Sequence, residues 1–443
     1  MGLVKRRRSS LARAARIVQL GAGLTGSYLA HRLQRPFLSD EKKEERRQSL
    51  HDRNAKQVRR ELQHLRGPIM KVGQALSMQT HLLGAEWIEE LSGLQMQAPP
   101  MHPTLMRAQF KSAFARYPEE VFRSFEEEPF AAASLGQVHW AVTKSGDEVA
   151  VKIQYPAIRE AIESDFGLLR TAAIGPRITG HLPDSVIRET ERGILEETDY
   201  RREATNLEHF RKQLAPLEFI HVPRVYREFS CEQVLTMSRV RGARLQEFLK
   251  SNPSQEVRDR LGVALTRLFF FQLFRVQALH ADPHPGNYLL NDDGTIGLVD
   301  FGCVKYLKPE VVRCYAQFWS REWVHDAALF AGIIRVIFGP KTSPDEPRVR
   351  RCMNEIRRFY DEFHPLTSKP VILDLADSRF MDGLNELAKT LFKNKFLSPE
   401  FLFLSRTESG MCLLLHSLKA RVATTQIARQ WMPTISKAKN NSD

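Results

Sequence analysis

The spacing of apolar positions changes character along this chain. Residues 40–126 carry apolar residues at helical intervals between charged runs and read as successive helices, with Pro68 suited to the first turn ahead of Ile69–Thr80. From Phe130 to Gln154 the pattern becomes alternation. That predicts two or three strands, with Lys144–Glu148 as the turn joining Val138–Thr143 to Val149–Gln154. Helical spacing resumes from Pro156 to about Leu214, and a further strand pair is expected through Val225 and Val234–Val240. Beyond Gly242 the chain reads as mostly helical, interrupted by the polar loop His280–Asn287 and a short strand, Thr295–Val299. The apolar run Leu268–Phe274 is expected to be a buried core helix. Strands first, then helices around a polar loop, is the α+β plan of a small sheet lobe on a helical lobe.

Four segments follow from these shifts: a basic arm over 1–39, a helical extension over 40–126, a sheet lobe with inserted helices over 127–242, and a helical lobe over 243–443. With 443 residues, 42% hydrophobic and 26% charged, the chain can build a large core. The five cysteines (Cys231, Cys303, Cys314, Cys352, Cys412) are widely separated and form no CxxC pair, so they read as free thiols in a reducing compartment.

The net charge of +13 is concentrated early, since residues 1–39 hold eight Lys or Arg and no acid. Such an arm suits an anionic membrane face, an organellar transit segment, or a solvated tail. No aromatic lies among the clustered charges from Lys5 to Arg16, which argues against nucleic acid. The uncharged stretch Ile17–Ala30 is 14 residues, short of the roughly 20 that span a bilayer, so no transmembrane segment is expected. The same stretch contains Gly21, Gly23 and Gly26 at dinucleotide-binding spacing. A Rossmann unit would need a second strand after its helix, and Ser39–Leu65 is a charged, helix-forming run instead. The glycines therefore read as part of an amphipathic helix resting on a membrane or on the domain.

The chemistry is concentrated downstream. His280, Asp282 and Asn287 form an H-x-D-x-x-x-x-N loop, and Asp300-Phe301-Gly302 follows 13 residues after the Asn. Phosphoryl transfer needs an acid near the acceptor hydroxyl and oxygen donors for magnesium, and this spacing supplies both. Asp282 is the candidate base or acceptor-positioning acid, and Asn287 and Asp300 are the candidate magnesium ligands. His280 and His284 read as structural, having no third soft ligand nearby. Upstream, Val149-Ala150-Val151-Lys152 matches the strand whose Lys meets the α- and β-phosphates of a nucleotide. Before it, Ala131, Ala132, Ala133, Ser134, Gly136 and Val138 stand where a G-x-G-x-x-G-x-V loop would cover those phosphates. Ala131 and Ala133 replace two glycines, and their methyls limit how closely backbone N–H groups approach phosphate.

The alanine-rich loop resembles that of the UbiB (AarF-like) atypical kinases, and so do two further motifs: KxGQ at Lys71, Gly73 and Gln74, and ExD at Glu197 and Asp199 with Glu203 following. The resemblance spans roughly Gly67 to Lys305, with all motifs in the family's order. By helical spacing alone, Lys71 with Gln74, and Glu196 with Tyr200 and Glu203, would be solvated faces.

What the resemblance implies is more specific. The fold would be protein-kinase-like and two-lobed, with the N-terminal helical extension carrying KxGQ. Glu197 would partner Lys152, Asp199 would belong to the same motif, and Glu203 would partner Lys71. Lys71 and Gln74 would lie over the active site and restrict peptide access. The chain would bind ATP or ADP with Mg²⁺ and act as a kinase or ATPase supporting ubiquinone or isoprenoid-lipid metabolism. It would sit peripherally on an anionic membrane, bacterial or mitochondrial, with a lipid or quinone-precursor ligand and other lipid-pathway proteins as partners. Two alternatives stand beside this: a small-molecule phosphotransferase, which shares the loop but lacks KxGQ and ExD, and a nucleotide-gated lipid scaffold without turnover.

Overall fold

The computed structural model describes residues 100–170 except Ser134, 184–367, 369–393 and 398–432, with scattered positions between Gln19 and Arg60. Lys71, Gly73 and Gln74 of the KxGQ motif lie outside the described residues, as do most of the basic arm and the first of the three spaced glycines. Gly23, Gly26 and Ser27 are helical, and Ser27 and Asn54 hydrogen-bond through their side chains at 2.9 and 3.2 Å. Asn54 is buried. The chain falls into two compact units: the residues up to Arg202 with Val225–Ser238, and Glu203–Arg224 with Arg239 onward.

The first unit is built on an antiparallel sheet. Helices α1 (Pro103–Phe114) and α2 (Pro118–Val121) lead into β1 (Ser124–Phe125), β2 (Ala131–Ala133), β3 (Gly136–Val142) and β4 (Glu148–Gln154). Helices α3 (Ile158–Arg170) and α4 (Asp184–Glu196) follow; α5 (Tyr200–Gln213) from Glu203 on and β5 (Ile220–His221) belong to the second unit, and β6 (Val234–Ser238) returns to the first unit's sheet. The order is β1-β3-β4-β6, with β2 pairing β3. Residues 40–126 were expected to be helical throughout, but the segment ends in β1, whose Ser124 and Phe125 pair with Val142 and Ala141. Phe125 and Phe122 join Phe110 in an aromatic cluster under the sheet, so tertiary packing decides this short stretch. Val225 contributes one isolated bridge to Met237 rather than a full strand.

β4 is the central strand, flanked by β3 and β6. Its period of two sends Val149, Val151 and Ile153 into a core with Met106, Phe110 and Phe122, and turns Ala150, Lys152 and Gln154 to the opposite face. Leu135, Ile158, Ile162, Phe166 and Ile194 form a second core.

The second unit is mainly helical: α6 (Leu245–Lys250), α7 (Gln255–Phe271), α8 (Pro309–Ser320), α9 (Ala327–Phe338), α10 (Pro347–Phe363), α11 (Ser378–Lys393), α12 (Pro399–Leu418) and α13 (Thr424–Trp431). Leu268, Phe269, Phe270, Phe271, Leu273 and Phe274 are buried, so the apolar run is core. Between β6 and α8 the chain makes more strands than its pattern predicts: β7 (Ala243–Arg244) precedes α6, and β8 (Ala278–His280), β9 (Tyr288–Leu290), β10 (Ile296–Leu298) and β11 (Val304–Tyr306) follow α7. The β5-β10-β9-β7 sheet and the β8-β11 ribbon are too short for alternation to show in sequence. Strands β12 (Leu373–Asp374) and β13 (Arg421–Val422) pair near the end. All five cysteines are free, and no described helix is long and apolar enough to cross a membrane. The class is α+β, with a small antiparallel sheet in one unit and a mainly helical second unit.

Candidate functional site

In the first unit, β2 and β3 form a tight hairpin with Ala131 paired to Val138, Ala132 to Gln137 and Ala133 to Gly136. Ser134 lies outside the described residues. A Cβ on Gly136 would overlap the Ile153 carbonyl oxygen and come within 2.8 Å of the Ile153 carbonyl carbon. Close approach of β3 to β4 therefore requires glycine here, whatever the loop binds.

Lys152 occupies the middle of β4, paired to Val138 and Leu235, and is only 3% exposed. A solvated edge lysine would look quite different. Its Nζ stands 4.9 Å from the centre of the Tyr200 ring, a cation–π contact that helps hold the ammonium out of water. Two residues along the same face, Gln154 donates to the Thr198 carbonyl at 2.5 Å and to the Glu232 carbonyl at 3.4 Å. Thr198 also hydrogen-bonds the Leu195 carbonyl at 2.7 Å and accepts from Arg159 at 3.1 Å. The Glu197-Thr198-Asp199 turn is thus anchored to the strand that carries Lys152. Asp199 caps α5, its carboxylate accepting the Arg201 N–H at 3.0 Å.

In the second unit, α7 ends in a single π turn, Gln272–Val276, and the chain reverses at Gln277 (φ 55°) into β8. Gln272 Oε1 accepts the His280 N–H at 2.7 Å, and Ala281 N donates to the Cys303 carbonyl at 3.0 Å. These fix the start of the loop. His284 Nδ1 accepts from Gly286 N at 3.0 Å, shaping the turn into Asn287. Asn287 Nδ2 then donates to Asp282 twice, to Oδ2 at 3.0 Å and to the carbonyl at 3.2 Å, which leaves the amide oxygen as an acceptor. Tyr288 is buried beside the loop, and burial with the nearby Asp282 charge pushes its phenol well above the usual range.

Asp300 has φ 65°, a left-handed conformation that Asp tolerates better than most residues. His280 Nε2 donates to its carbonyl at 2.7 Å, and its Oδ1 accepts the Gly302 N–H at 3.1 Å. Phe301 is fully buried against Phe210 and His280, and Asn206 Nδ2 donates to its carbonyl at 3.0 Å. Glu203 is 3% exposed and also faces this turn: a Cβ on Gly302 would lie 3.2 Å from Asp300 Oδ1 and 3.8 Å from Glu203 Oε2. Two carboxylates therefore flank one glycine. Among the described residues no cluster of three His, Cys, Asp or Glu could hold a metal. The donors available at Asn287 and Asp300 are hard oxygens, a set that fits magnesium completed by phosphate and water.

A family model described as the ABC1 atypical kinase-like domain matches residues 93–331. The chain belongs to the ABC1 atypical kinase-like family. A solved structure of Rv3197 with erythromycin from Mycobacterium tuberculosis resembles this ABC1-family chain with a TM-score of 0.62 and 25% identity, covering 88% of this chain and 98% of that one. The fold is accordingly the kinase-like α+β fold. The chain is 28% identical to the mitochondrial atypical kinase coq-8 of Caenorhabditis elegans, over 93% of its own length and 56% of that protein. It is 31% identical to a probable protein kinase UbiB of Pseudomonas aeruginosa, over 77% and 64%. Its 32% identity to the chloroplastic Activity of BC1 complex kinase 8 of Arabidopsis thaliana covers 62% of this chain and 36% of that protein. The ABC1-family chain spans less than two thirds of the length of each of these three curated relatives.

Motif spacing did not point to Gln272, Asn206 or Tyr200 as supports of the site. Gln272 had a signal, a lone amide in an apolar run; Asn206 had none.

Proposed function

We propose that the chain binds ATP with Mg²⁺ and transfers or hydrolyses its terminal phosphoryl group, as an atypical kinase or ATPase. The observation that carries this reading is the double hydrogen bond from Asn287 to Asp282, which makes one unit of the acid and the amide that phosphoryl transfer uses. In this reading Lys152 orients the α- and β-phosphates, the β2–β3 hairpin from Ala131 to Val138 covers them, and Glu197 partners Lys152. Asp282 positions or deprotonates the acceptor. Magnesium held by Asn287 and Asp300 would neutralise charge on the phosphate oxygens. Glu203 and Asp199 belong to the support of the site, and Lys71 and Gln74 would limit access to it. Membership of the family that includes UbiB and coq-8 relatives favours work in ubiquinone or isoprenoid-lipid metabolism at a membrane over small-molecule phosphotransfer.

The test is phosphate release from ATP with Mg²⁺ by wild type and Asp300→Asn, with and without anionic liposomes and a quinone-precursor mimic. Release that depends on Asp300 and rises with liposomes is expected. Equal release by the variant would remove Asp300 from the site, and nucleotide binding without any release would make the chain a nucleotide-gated scaffold.

A further inference from the structure

Helix α12 lies beyond the stretch that the family model matches, yet it rests on the loop that carries Asp282. Gly410, in the second half of this helix, faces Pro283. A Cβ built on Gly410 would fall inside the van der Waals envelope of the Pro283 ring, at both Cβ and Cγ, and would sit 3.7 Å from Pro283 Cα. Glycine in a helix interior is less favourable than alanine, so the position gives up helix stability for this approach. The neighbour it admits follows Asp282 directly.

The helix is held at this height by a polar cluster one half-turn away. Glu408 keeps some surface as a residue, but its carboxylate turns inward and accepts hydrogen bonds from Tyr315 on α8 and from Tyr360 on α10, the latter at 3.0 Å to each oxygen. Tyr315 and Tyr360 are both buried. Toward its N-terminus the same helix presents Glu400 to Lys308 at 3.4 Å and the Phe403 ring to the Lys305 ammonium at 5.9 Å, so it also touches the chain that leaves Gly302 through β11. At the far end, Leu415 with Ala420 and Val422 closes on Gly262 of α7, the helix that feeds the loop.

We propose that α12 is a brace for the catalytic loop, with Gly410 a positioning residue that sets where Pro283 and hence Asp282 stand, and Glu408 a positioning residue that fixes the helix against α8 and α10. This rests on the phosphoryl-transfer reading for its consequence, not for its geometry. An added methyl at position 410 must push Pro283, and a displacement of the order of 1 Å at a catalytic group can cost about a hundredfold in rate.

The experiment compares the full chain carrying Gly410→Ala with Gly332→Ala, a helical glycine in α9 whose Cβ would meet nothing within 4 Å. Amide hydrogen exchange is followed by mass spectrometry on the peptide covering 278–290 and on peptides from the rest of the second unit, beside kcat and KM for MgATP. Gly410→Ala is expected to speed exchange in that peptide alone, by about fivefold for each kcal/mol of lost local protection, and to lower kcat by about 10- to 100-fold with KM within about twofold. Gly332→Ala should change neither. Combining Pro283→Gly with Gly410→Ala removes the ring and should recover part of the loss relative to Gly410→Ala alone. Glu408→Gln should keep loop protection near wild type, while Glu408→Leu, which strands both tyrosine hydroxyls, should lose it. The brace is overturned if Gly410→Ala exchanges like wild type, or if its exchange rises evenly across the unit. Should wild type show no turnover at all, the phosphoryl-transfer reading falls, and the exchange comparison still decides the brace.

Discussion

His280 donates from Nε2 to the Asp300 carbonyl at 2.7 Å, so the first residue of the loop motif holds the backbone of the acid 20 positions on. That acid is left-handed, and the bond is what a relaxed backbone would give up. His280→Ala should cost about 1–3 kcal/mol of stability and lower ATP turnover by about tenfold or more. Gln at position 280 can place an amide N–H near the Nε2 position, and His280→Gln should recover part of both losses. Thermal unfolding and steady-state phosphate release measure the two effects, and equal activity in all three proteins would detach His280 from Asp300.

Lys152 is buried on the central strand with its ammonium over Tyr200. Removing one partner of a buried charge pair costs about 3–5 kcal/mol, because the other charge is left uncompensated. With Glu197 as its partner, Lys152→Met should therefore lower the unfolding midpoint, and nucleotide affinity should fall by about tenfold or more, as a lost charge-assisted contact of about 1.5–3 kcal/mol implies. Calorimetric titration with ADP and magnesium reads this. Wild-type affinity in the variant would make Lys152 a core residue and nothing else.

These two cases mark what sequence could and could not convey. Lys152, Asp282, Asn287 and Asp300 were legible as candidates because phosphate chemistry demands fixed residue types at fixed intervals. The sheet lobe was legible because β3 and β4 run seven residues each, long enough for alternation. Strands β7 to β11 span two or three residues, and their pairing is set by the reversals at Gln277 and Gly294, not by any periodic pattern. Nor does spacing reveal that Gln154 anchors the Thr198 turn, or that Gly410 meets Pro283, since both contacts join residues far apart in the chain.

Gly136 separates a packing role from a binding one. Its missing Cβ admits the Ile153 carbonyl, so Gly136→Ala should destabilise the first unit by about 1–3 kcal/mol through overpacking. At a temperature where the variant remains folded, nucleotide affinity should fall along with stability, because the methyl forces β3 away from β4 next to Lys152. A variant of undiminished thermal stability that has lost nucleotide would assign Gly136 to phosphate contact instead.

Two groups in the second unit give stability opposite dependences on pH. Burial, eased by the two tyrosine hydroxyls, raises the Glu408 carboxyl to about 7, whereas a glutamate in the unfolded chain titrates near 4.3. The folded chain thus holds the extra proton between these values. The contribution is complete below about pH 4.3 and is lost as pH rises toward about 7, amounting to about 4 kcal/mol. His364 behaves the other way. Burial, with the Arg321 guanidinium nearby, lowers its imidazole to about 3, and its Nδ1 lies 2.8 Å from Thr424 Oγ1. Its contribution is complete above about pH 6.5 and is lost as pH falls toward about 3. The advantage of wild type over Glu408→Gln in unfolding midpoint should therefore shrink from about pH 5 to about pH 8, and its advantage over His364→Asn should grow across the lower part of that range and level off above about pH 6.5. Parallel midpoint curves for wild type and either variant would mean that the group titrates alike in the folded and unfolded chain, with its buried setting contributing nothing to linkage.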